Sequence, residues 1–180
     1  TTRIGLLSSP LRSRFGATFR LNFYTEKEIE EIISRSAGLL NISAERDGLQ
    51  TLATSSRFTP RIANRLLKRA RDYAEVHGTG VITKETAQKT LHLLEVDHKG
   101  LEPGDRRLLE TIIKKFSGGP VGVRSLAAAS AEEEDTIEEV YEPYLLQLGF
   151  LERTQKGRIA TALAYKHLGL IHPEERQRLM

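Results

Sequence analysis

The chain has 180 residues, of which 39% are hydrophobic and 28% are charged, a composition typical of a folded globular protein rather than a disordered one. It contains no cysteine, which excludes a disulfide scaffold and any thiolate metal site. No apolar run approaches the roughly 20 residues that cross a bilayer, and no signal-peptide pattern opens the sequence. The length suits one ordinary domain or two small ones.

The net charge of +3 is too small to indicate nucleic-acid binding by itself, so its distribution matters more. Residues 57–72 are basic, with a single acid, Asp72, against Arg57, Arg61, Arg65, Lys68, Arg69 and Arg71. Residues 132–142 are acidic and contain no base: Glu132, Glu133, Glu134, Asp135, Glu138, Glu139 and Glu142. Each block taken alone is equally compatible with an ordinary solvated face.

The first 16 residues place two arginines, Arg12 and Arg14, on a short segment whose shape is restricted by Pro10 and Gly16. The segment reads as a strand end followed by a loop, without a helix cap or a start methionine before it. We therefore expect the chain to be the back part of a longer protein.

Between residues 23 and 98 the pattern predicts four helices with short connections. The first follows Thr25, which with Glu28 makes a capping box. Its apolar positions recur at roughly helical spacing at Ile29, Ile32, Ile33, Leu39 and Leu40. The second helix is predicted over Asp47 to Ser56.

The third predicted helix begins with Thr59 as its cap and Pro60 in its first position, where the missing N–H costs nothing. It ends at Gly78 and Gly80, and its apolar face consists of Ile62, Leu66, Leu67, Ala70, Tyr73 and Ala74. Thr83 caps a fourth helix that runs through Leu94. These four helices predict a small α-helical domain.

The glycines and proline of residues 97–104 favour an interdomain linker. Beyond it we predict a helix over Asp105 to Phe116, an extended piece over Val121 to Val123 and a helix capped by Ser125. Asp135 then caps a helix that Pro143 kinks or restarts, with a face made of Ile137, Val140, Tyr141, Tyr144, Leu145 and Leu148. A β-hairpin around Thr154 to Gly157 completes the order of a winged helix.

These patterns, with the string Thr-Pro-Arg-Ile-Ala-Asn-Arg-Leu-Leu at residues 59–67 and Arg-Phe-Gly at 14–16, resemble the RuvB family of AAA+ ATPases over nearly the whole chain. The resemblance implies a mainly α protein. Residues 1–22 would end the nucleotide-binding domain, 23–98 would form the helical lid domain, 99–170 the winged-helix domain and 171–180 a peripheral tail. One departure is Phe58, where the family usually has glycine.

The resemblance also implies roles for four residues in nucleotide chemistry. Thr2 matches the sensor-1 polar residue, and Arg14 the arginine finger that enters a neighbouring subunit's site, with Arg12 as the competing candidate. Arg61 matches the sensor-2 arginine, which lies in the first turn of a helix where the helix end and the guanidinium both favour phosphate. Tyr24 is assigned to nucleotide binding.

For DNA, the resemblance implies that the hairpin cations Arg153, Lys156 and Arg158 contact duplex backbone, with Gly157 allowing close approach. Phosphate contacts carry little sequence preference. The acidic helix before the hairpin would face phosphates with like charge, which disfavours it as a recognition helix. Two departures from the family, Ala131 for glycine and Glu134 for a frequent basic residue, weaken any DNA contact by that turn.

No Gly-x-x-x-x-Gly-Lys-Ser/Thr loop occurs, and no apolar run ends in an Asp-Glu pair for magnesium, so the chain alone is expected not to turn over ATP. The five histidines show no metal-ligand spacing, and we predict no metal site. For the complete protein the resemblance implies ATP with Mg²⁺, a hexameric ring, RuvA and Holliday-junction DNA as partners, and helicase activity in recombination and DNA repair. It implies a cytoplasmic, nucleoid-associated bacterial protein.

Two other classes of function stay open from the residues alone. One is a winged-helix DNA-binding regulator or adaptor without ATPase function. The other is a winged helix that makes only protein contacts.

Overall fold

The structure, a computed structural model, describes residues 8–17, 19 and 22–173, and these are mainly helical. A short helix α1 (Ser9–Arg12) precedes four longer helices, α2 (Glu26–Leu39), α3 (Arg46–Thr54), α4 (Pro60–His77) and α5 (Lys84–Leu93). The second half contains α6 (Pro103–Lys115), α7 (Val123–Ser130), α8 (Glu134–Thr136), a π-helical segment (Ile137–Tyr141), α9 (Glu142–Gln147), strands β1 (Leu151–Thr154) and β2 (Gly157–Ala160), and α10 (Ala162–His167). The predicted fold class is confirmed. None of the helices in these ranges has the length and apolar character to cross a membrane.

Local capping chemistry starts the helices of the first domain where the sequence predicts. Thr25 accepts a hydrogen bond from the Glu28 amide while the Glu28 side chain accepts one from the Thr25 amide, so the capping box is confirmed. Thr83 caps α5 by accepting from the Thr86 amide. The four helices enclose one apolar core whose fully buried members include Ile29, Ile33, Leu52, Leu66, Leu67 and Ile82.

Two details of this domain differ from the prediction. Helix α3 spans Arg46–Thr54 rather than Asp47 to Ser56. Leu39 and Leu40, assigned to the apolar face of α2, are 74% and 44% exposed. Helix α2 ends at these residues and Asn41 turns the chain with a φ of 51°, so both leucines lie past the last turn that packs on the core.

The second domain has the order of a winged helix. Strands β1 and β2 pair antiparallel with Thr154 opposite Gly157, which confirms the hairpin. Val121 exchanges backbone hydrogen bonds with Arg158 on the other side of β2. Because the chain turns at Gly122 directly after this pairing, α7 begins at Val123, and the prediction that Ser125 caps it is wrong.

The composite helix 134–147 departs most from its prediction. It begins at Glu134 after Glu133, so Asp135 lies inside the first turn and is not the cap. A π turn occupies Ile137–Tyr141, just before Pro143 near the start of α9. A π turn accommodates one more residue than an α turn, which rotates the remainder of the helix about its axis. Val140, predicted to be buried, is therefore 53% exposed. Glu142 takes the buried position on this face of the helix and is 1% exposed.

The segment that connects the two domains packs against the second domain. The Asp97 carboxylate accepts hydrogen bonds from the Lys99 and Leu101 amides. Leu101 is fully buried in a separate apolar core that belongs to the second domain, and the Tyr144 hydroxyl donates to the Lys99 carbonyl. Residues 97–101 are thus held by side chains rather than left as a loose tether.

Candidate nucleotide and DNA sites

Arg61 lies exposed in the first turn of α4, directly after Pro60. Thr59 occupies the N-cap position, but its hydroxyl donates back to the Arg57 carbonyl at 3.0 Å and does not cap the helix amides. Within the described residues the Arg61 guanidinium has no hydrogen bond or ion pair. The positive end of α4 and an unpaired planar cation therefore lie together, an arrangement suited to a phosphate group.

Tyr24 directly precedes the cap of α2 and is 45% exposed. The Thr54 hydroxyl donates to the Glu26 carboxylate at 2.6 Å, which holds the start of α2 against the end of α3. Because α4 begins only a few residues after α3 ends, the fold brings Tyr24 and Arg61 to the same end of the helical domain.

The two candidate finger arginines lie around the end of α1. Arg12 is the last residue of this helix and Arg14 lies two residues later, and both are exposed. The Ser13 hydroxyl donates to the Pro10 carbonyl at 3.0 Å, which tightens the turn between them. Neither guanidinium pairs with another described residue. Thr2 lies outside the described residues.

The wing holds its three predicted DNA-contacting cations in three different environments. The Arg158 side chain is 7% exposed and forms ion pairs with Glu142 at 2.5 Å and Glu138 at 2.7 Å. Burial acts to lower the pKa of Arg158, but the hydrogen bonds to Glu142 and Glu138 outweigh it and raise the pKa. Arg158 is therefore a charged group facing the interior of the domain.

Arg153 and Lys156 face solvent. The Arg153 side chain is 57% exposed and shares Glu138 at 3.1 Å, with Glu142 further away at 3.8 Å. Lys156 is exposed at the tip of the hairpin, and its ammonium has no partner among the residues the structure describes. Of the three cations, Lys156 is therefore the one that a polyanion can bind without breaking an ion pair to a described residue.

Sequence reasoning missed Glu138 and Glu142 as members of this cluster. The signal was present as an excess of acids in a segment next to an unusually basic hairpin. The structure gives Gly157 a role that the sequence did not predict. A Cβ on Gly157 would meet the backbone of Val121, so the glycine permits strand packing inside the wing.

Histidine and carboxylate side chains also meet at the domain boundary. His167 Nε2 lies 2.7 Å from an Asp97 carboxylate oxygen, and its ring lies 5.1 Å from that of His98. Within the described ranges no group of three or more His, Asp or Glu side chains could hold a metal ion.

A helical domain with an exposed arginine in the first turn of α4, followed by a winged helix, is the arrangement of an AAA+ lid joined to a winged-helix module. Residues 24–97 match the family model described as the RuvB AAA lid domain, and residues 98–169 match the RuvB C-terminal winged helix domain. The chain belongs to the RuvB family.

Similar proteins cover the chain almost completely. It is 56% identical over 179 residues to the Holliday junction branch migration complex subunit RuvB of Koribacter versatilis, covering 99% of this chain and 50% of the relative. The corresponding Dehalococcoides mccartyi subunit is 56% identical over 176 residues, with 98% and 50% coverage. The structure of the Thermotoga maritima RuvB Holliday junction branch migration motor has a TM-score of 0.88 and 52% identity, covering 94% of this chain and 57% of that one. The chain thus spans about half the length of these relatives. Membership of the RuvB family disfavours the alternative of a DNA-binding regulator or adaptor without ATPase function.

Proposed function

We propose that this chain is the lid and winged-helix part of an ATP-driven motor that moves DNA through Holliday junctions. The main support for this proposal is that residues 24–169 match the two RuvB domains one after the other, without a gap. In this proposal residues 1–22 end the nucleotide-binding domain, 23–98 form the lid, 99–170 the winged helix and 171–180 a tail. The motor would act in the bacterial cytoplasm, at the nucleoid, in recombination and DNA repair.

Arg61 would bind the γ-phosphate of its own subunit's ATP, with Tyr24 beside the nucleotide. The Arg61 guanidinium lies at the start of α4 and has no partner among the residues that the structure describes, which supports this role. Arg14, with Arg12 as the alternative, would stabilise the transition-state charge in the neighbouring subunit's site of a hexameric ring, and Thr2 would position the attacking water or the γ-phosphate. Mg²⁺ would accompany the ATP, but the described residues offer no ligand set for it.

The wing would hold duplex DNA by its phosphates. Lys156 supplies a charge at the hairpin tip that no described residue pairs with, and Arg153 can turn from Glu138 to a phosphate because its side chain is 57% exposed. Arg158 would act indirectly, by holding the second wing strand to α9 through Glu142. RuvA would bring the motor to the junction.

The test uses the longer protein that carries the nucleotide-binding half, with RuvA, ATP and Mg²⁺, on a synthetic four-way junction with labelled arms. We expect conversion to duplex products that requires ATP hydrolysis and is lost in Arg61→Ala. Lys68→Ala, an exposed cation further along the same helix, serves as the matched control and should retain activity. Junctions that stay intact with the parent protein, or equal losses in both variants, would contradict the proposal.

A further inference from the structure

The two domains meet at a buried contact made by Arg57, which lies just after the end of α3. The Arg57 guanidinium forms an ion pair with Asp105 of α6 at 2.8 Å, and the two side chains are 11% and 0% exposed. The same guanidinium lies over the Tyr144 ring of α9, 4.4 Å from its centroid. One lid side chain therefore contacts two helices of the winged-helix domain.

Phe58 extends this contact. Its ring packs against the apolar core of the second domain, with its centroid 6.5 Å from that of Tyr144. Alongside, Gly100 approaches the lid so closely that a Cβ there would lie 2.7 Å from the Ser55 carbonyl oxygen. We call Arg57, Phe58, Asp105 and Tyr144 the interdomain joint.

The backbone of the joint has an unusual conformation. Arg57 and Phe58 have φ values of 57° and 51°, so two successive residues with side chains lie in the left-handed region. That region is unfavourable for non-glycine residues and persists only where the surroundings hold it. Here the surroundings include Asp105, the Tyr144 ring and the apolar core of the second domain, all contributed by the winged-helix domain.

The joint also shares its backbone with the first turn of α4. The Thr59 hydroxyl donates to the Arg57 carbonyl at 3.0 Å, and the Thr59 amide donates to the Ser56 carbonyl at 3.2 Å. Arg61 lies within the next turn. A displacement of Arg57 relative to α6 would therefore also move the first turn of α4.

We propose that Arg57 and Phe58 are positioning residues that fix the winged-helix domain to the first turn of α4, so that a load on the DNA-binding wing changes the position of Arg61. This inference rests on the proposed function for the role of Arg61 and for DNA binding by the wing. The fixed orientation of the two domains stands on the joint itself.

The ion pair between Arg65 of the lid and Glu102 of the winged-helix domain has a different character. Arg65 and Glu102 lie 2.9 Å apart, but their side chains are 57% and 42% exposed. Exposed pairs of this kind contribute little to stability. Asp105, in contrast, is buried enough that desolvation raises its pKa despite the opposing effect of Arg57, so loss of Arg57 leaves a buried carboxylate without its counter-charge.

The absence of cysteine allows a direct test by paired spin labels in the 180-residue chain. Labels at the exposed positions Gln88 of α5 and Ala128 of α7 report the distance between the domains. We expect one narrow distance distribution in the parent and a clearly broader one in the double variant Arg57→Gly/Phe58→Gly. Glycine suits a positive φ, so the variant removes the joint side chains without adding backbone strain.

Asn41→Gly is the matched control, because Asn41 also has a positive φ, of 51°, and lies away from the joint. Its distribution should equal that of the parent. Circular dichroism establishes that both domains remain folded. If the double variant does not fold, Asp105→Asn, which keeps an acceptor for the Glu102 amide, should still broaden the distribution. A folded joint variant with the parent distribution would overturn the inference.

The second readout is ATP turnover by the longer protein. The double variant should lower DNA-stimulated kcat by roughly tenfold to a hundredfold, with a much smaller change in KM for ATP, since misplacement of a positioned group by about 1 Å can cost that much. Broadened distances with unchanged stimulation would reduce the joint to a structural contact and overturn its positioning role. Absence of ATP turnover in the parent would instead refute the proposed function, while the distances still test the joint.

Discussion

Arg158 of the β-hairpin and Glu142 of α9 form a buried ion pair, with Nε and Oε1 2.5 Å apart and side chains 7% and 2% exposed. The pair joins β2 to α9, and Glu138 adds a second carboxylate at its outer edge. A cation that the sequence assigns to DNA contact therefore holds the wing to the helix beneath it.

Removal of either member of this pair should destabilise the winged-helix domain. Arg158→Ala leaves the buried Glu142 carboxylate without its closest partner, which typically costs about 3–5 kcal/mol. Glu142→Ala should cost less, because Arg158 keeps its contact with Glu138 at 2.7 Å. Arg153→Ala, in the same cluster but exposed, should cost less than about 1 kcal/mol. Urea unfolding followed by circular dichroism measures the difference, and the double variant Glu142→Leu/Arg158→Met should recover much of the loss. Equal costs for Arg153 and Arg158 would contradict a structural role for the pair.

Duplex binding by the 180-residue chain should be weak, insensitive to sequence and strongly salt-dependent. Lys156→Ala should reduce the slope of log affinity against log salt by about one unit, because it removes one phosphate contact. Arg153→Ala should reduce it by less, since its guanidinium is shared with Glu138. Fluorescence anisotropy at several salt concentrations gives the slopes.

The control for that experiment lies on the acidic helix. Glu139→Gln should leave binding unchanged or slightly stronger, because it removes a charge that repels DNA. Should this substitution abolish binding while Lys156→Ala has no effect, the helix and not the hairpin would read the DNA.

Arg14→Ala in the longer protein should lower ATP turnover by roughly a thousandfold or more while ATP binding is retained, because a finger stabilises the transition state in the neighbouring site. Mixing this variant with one defective in the phosphate-binding loop should restore part of the activity. Arg61→Ala should resist such rescue, since it acts in its own subunit. Rescue of Arg12→Ala but not of Arg14→Ala would assign the finger to Arg12.

Tyr144 should make the second domain sensitive to alkaline pH. Burial raises the pKa of Tyr144 to about 12 from its ordinary value of 10.0. The folded state therefore retains this proton when the unfolded chain has lost it. The free energy of unfolding therefore falls by roughly 2–3 kcal/mol as the pH rises from about 10 to about 12, and this contribution is fully present below about pH 10. Chemical denaturation from about pH 8 to about pH 12 should show this loss in the parent and a flatter profile in Tyr144→Phe.

Features determined within a few residues could be predicted from the sequence. The Thr25–Glu28 capping box, the Thr83 cap and the hairpin with Thr154 opposite Gly157 all form as expected. In each case the hydrogen-bonding partners or turn residues are close neighbours along the chain, so local chemistry specifies the geometry. The string at residues 59–67 likewise carried the family resemblance, and with it the proposed role of Arg61.

Tertiary packing decided what the candidate site residues contact. Because of the π turn, Glu142 and not Val140 lies on the buried face of the helix, and Glu142 forms an ion pair with Arg158. Arg57 pairs with Asp105, which lies 48 residues further along the chain. Gly157 allows the close approach of the Val121 backbone, which a Cβ would block. The sequence by itself determined the helices, the hairpin and the family. Which charges are buried and which face solvent depended on residues distant along the chain, because burial and ion pairing are set by the whole fold and leave no local pattern.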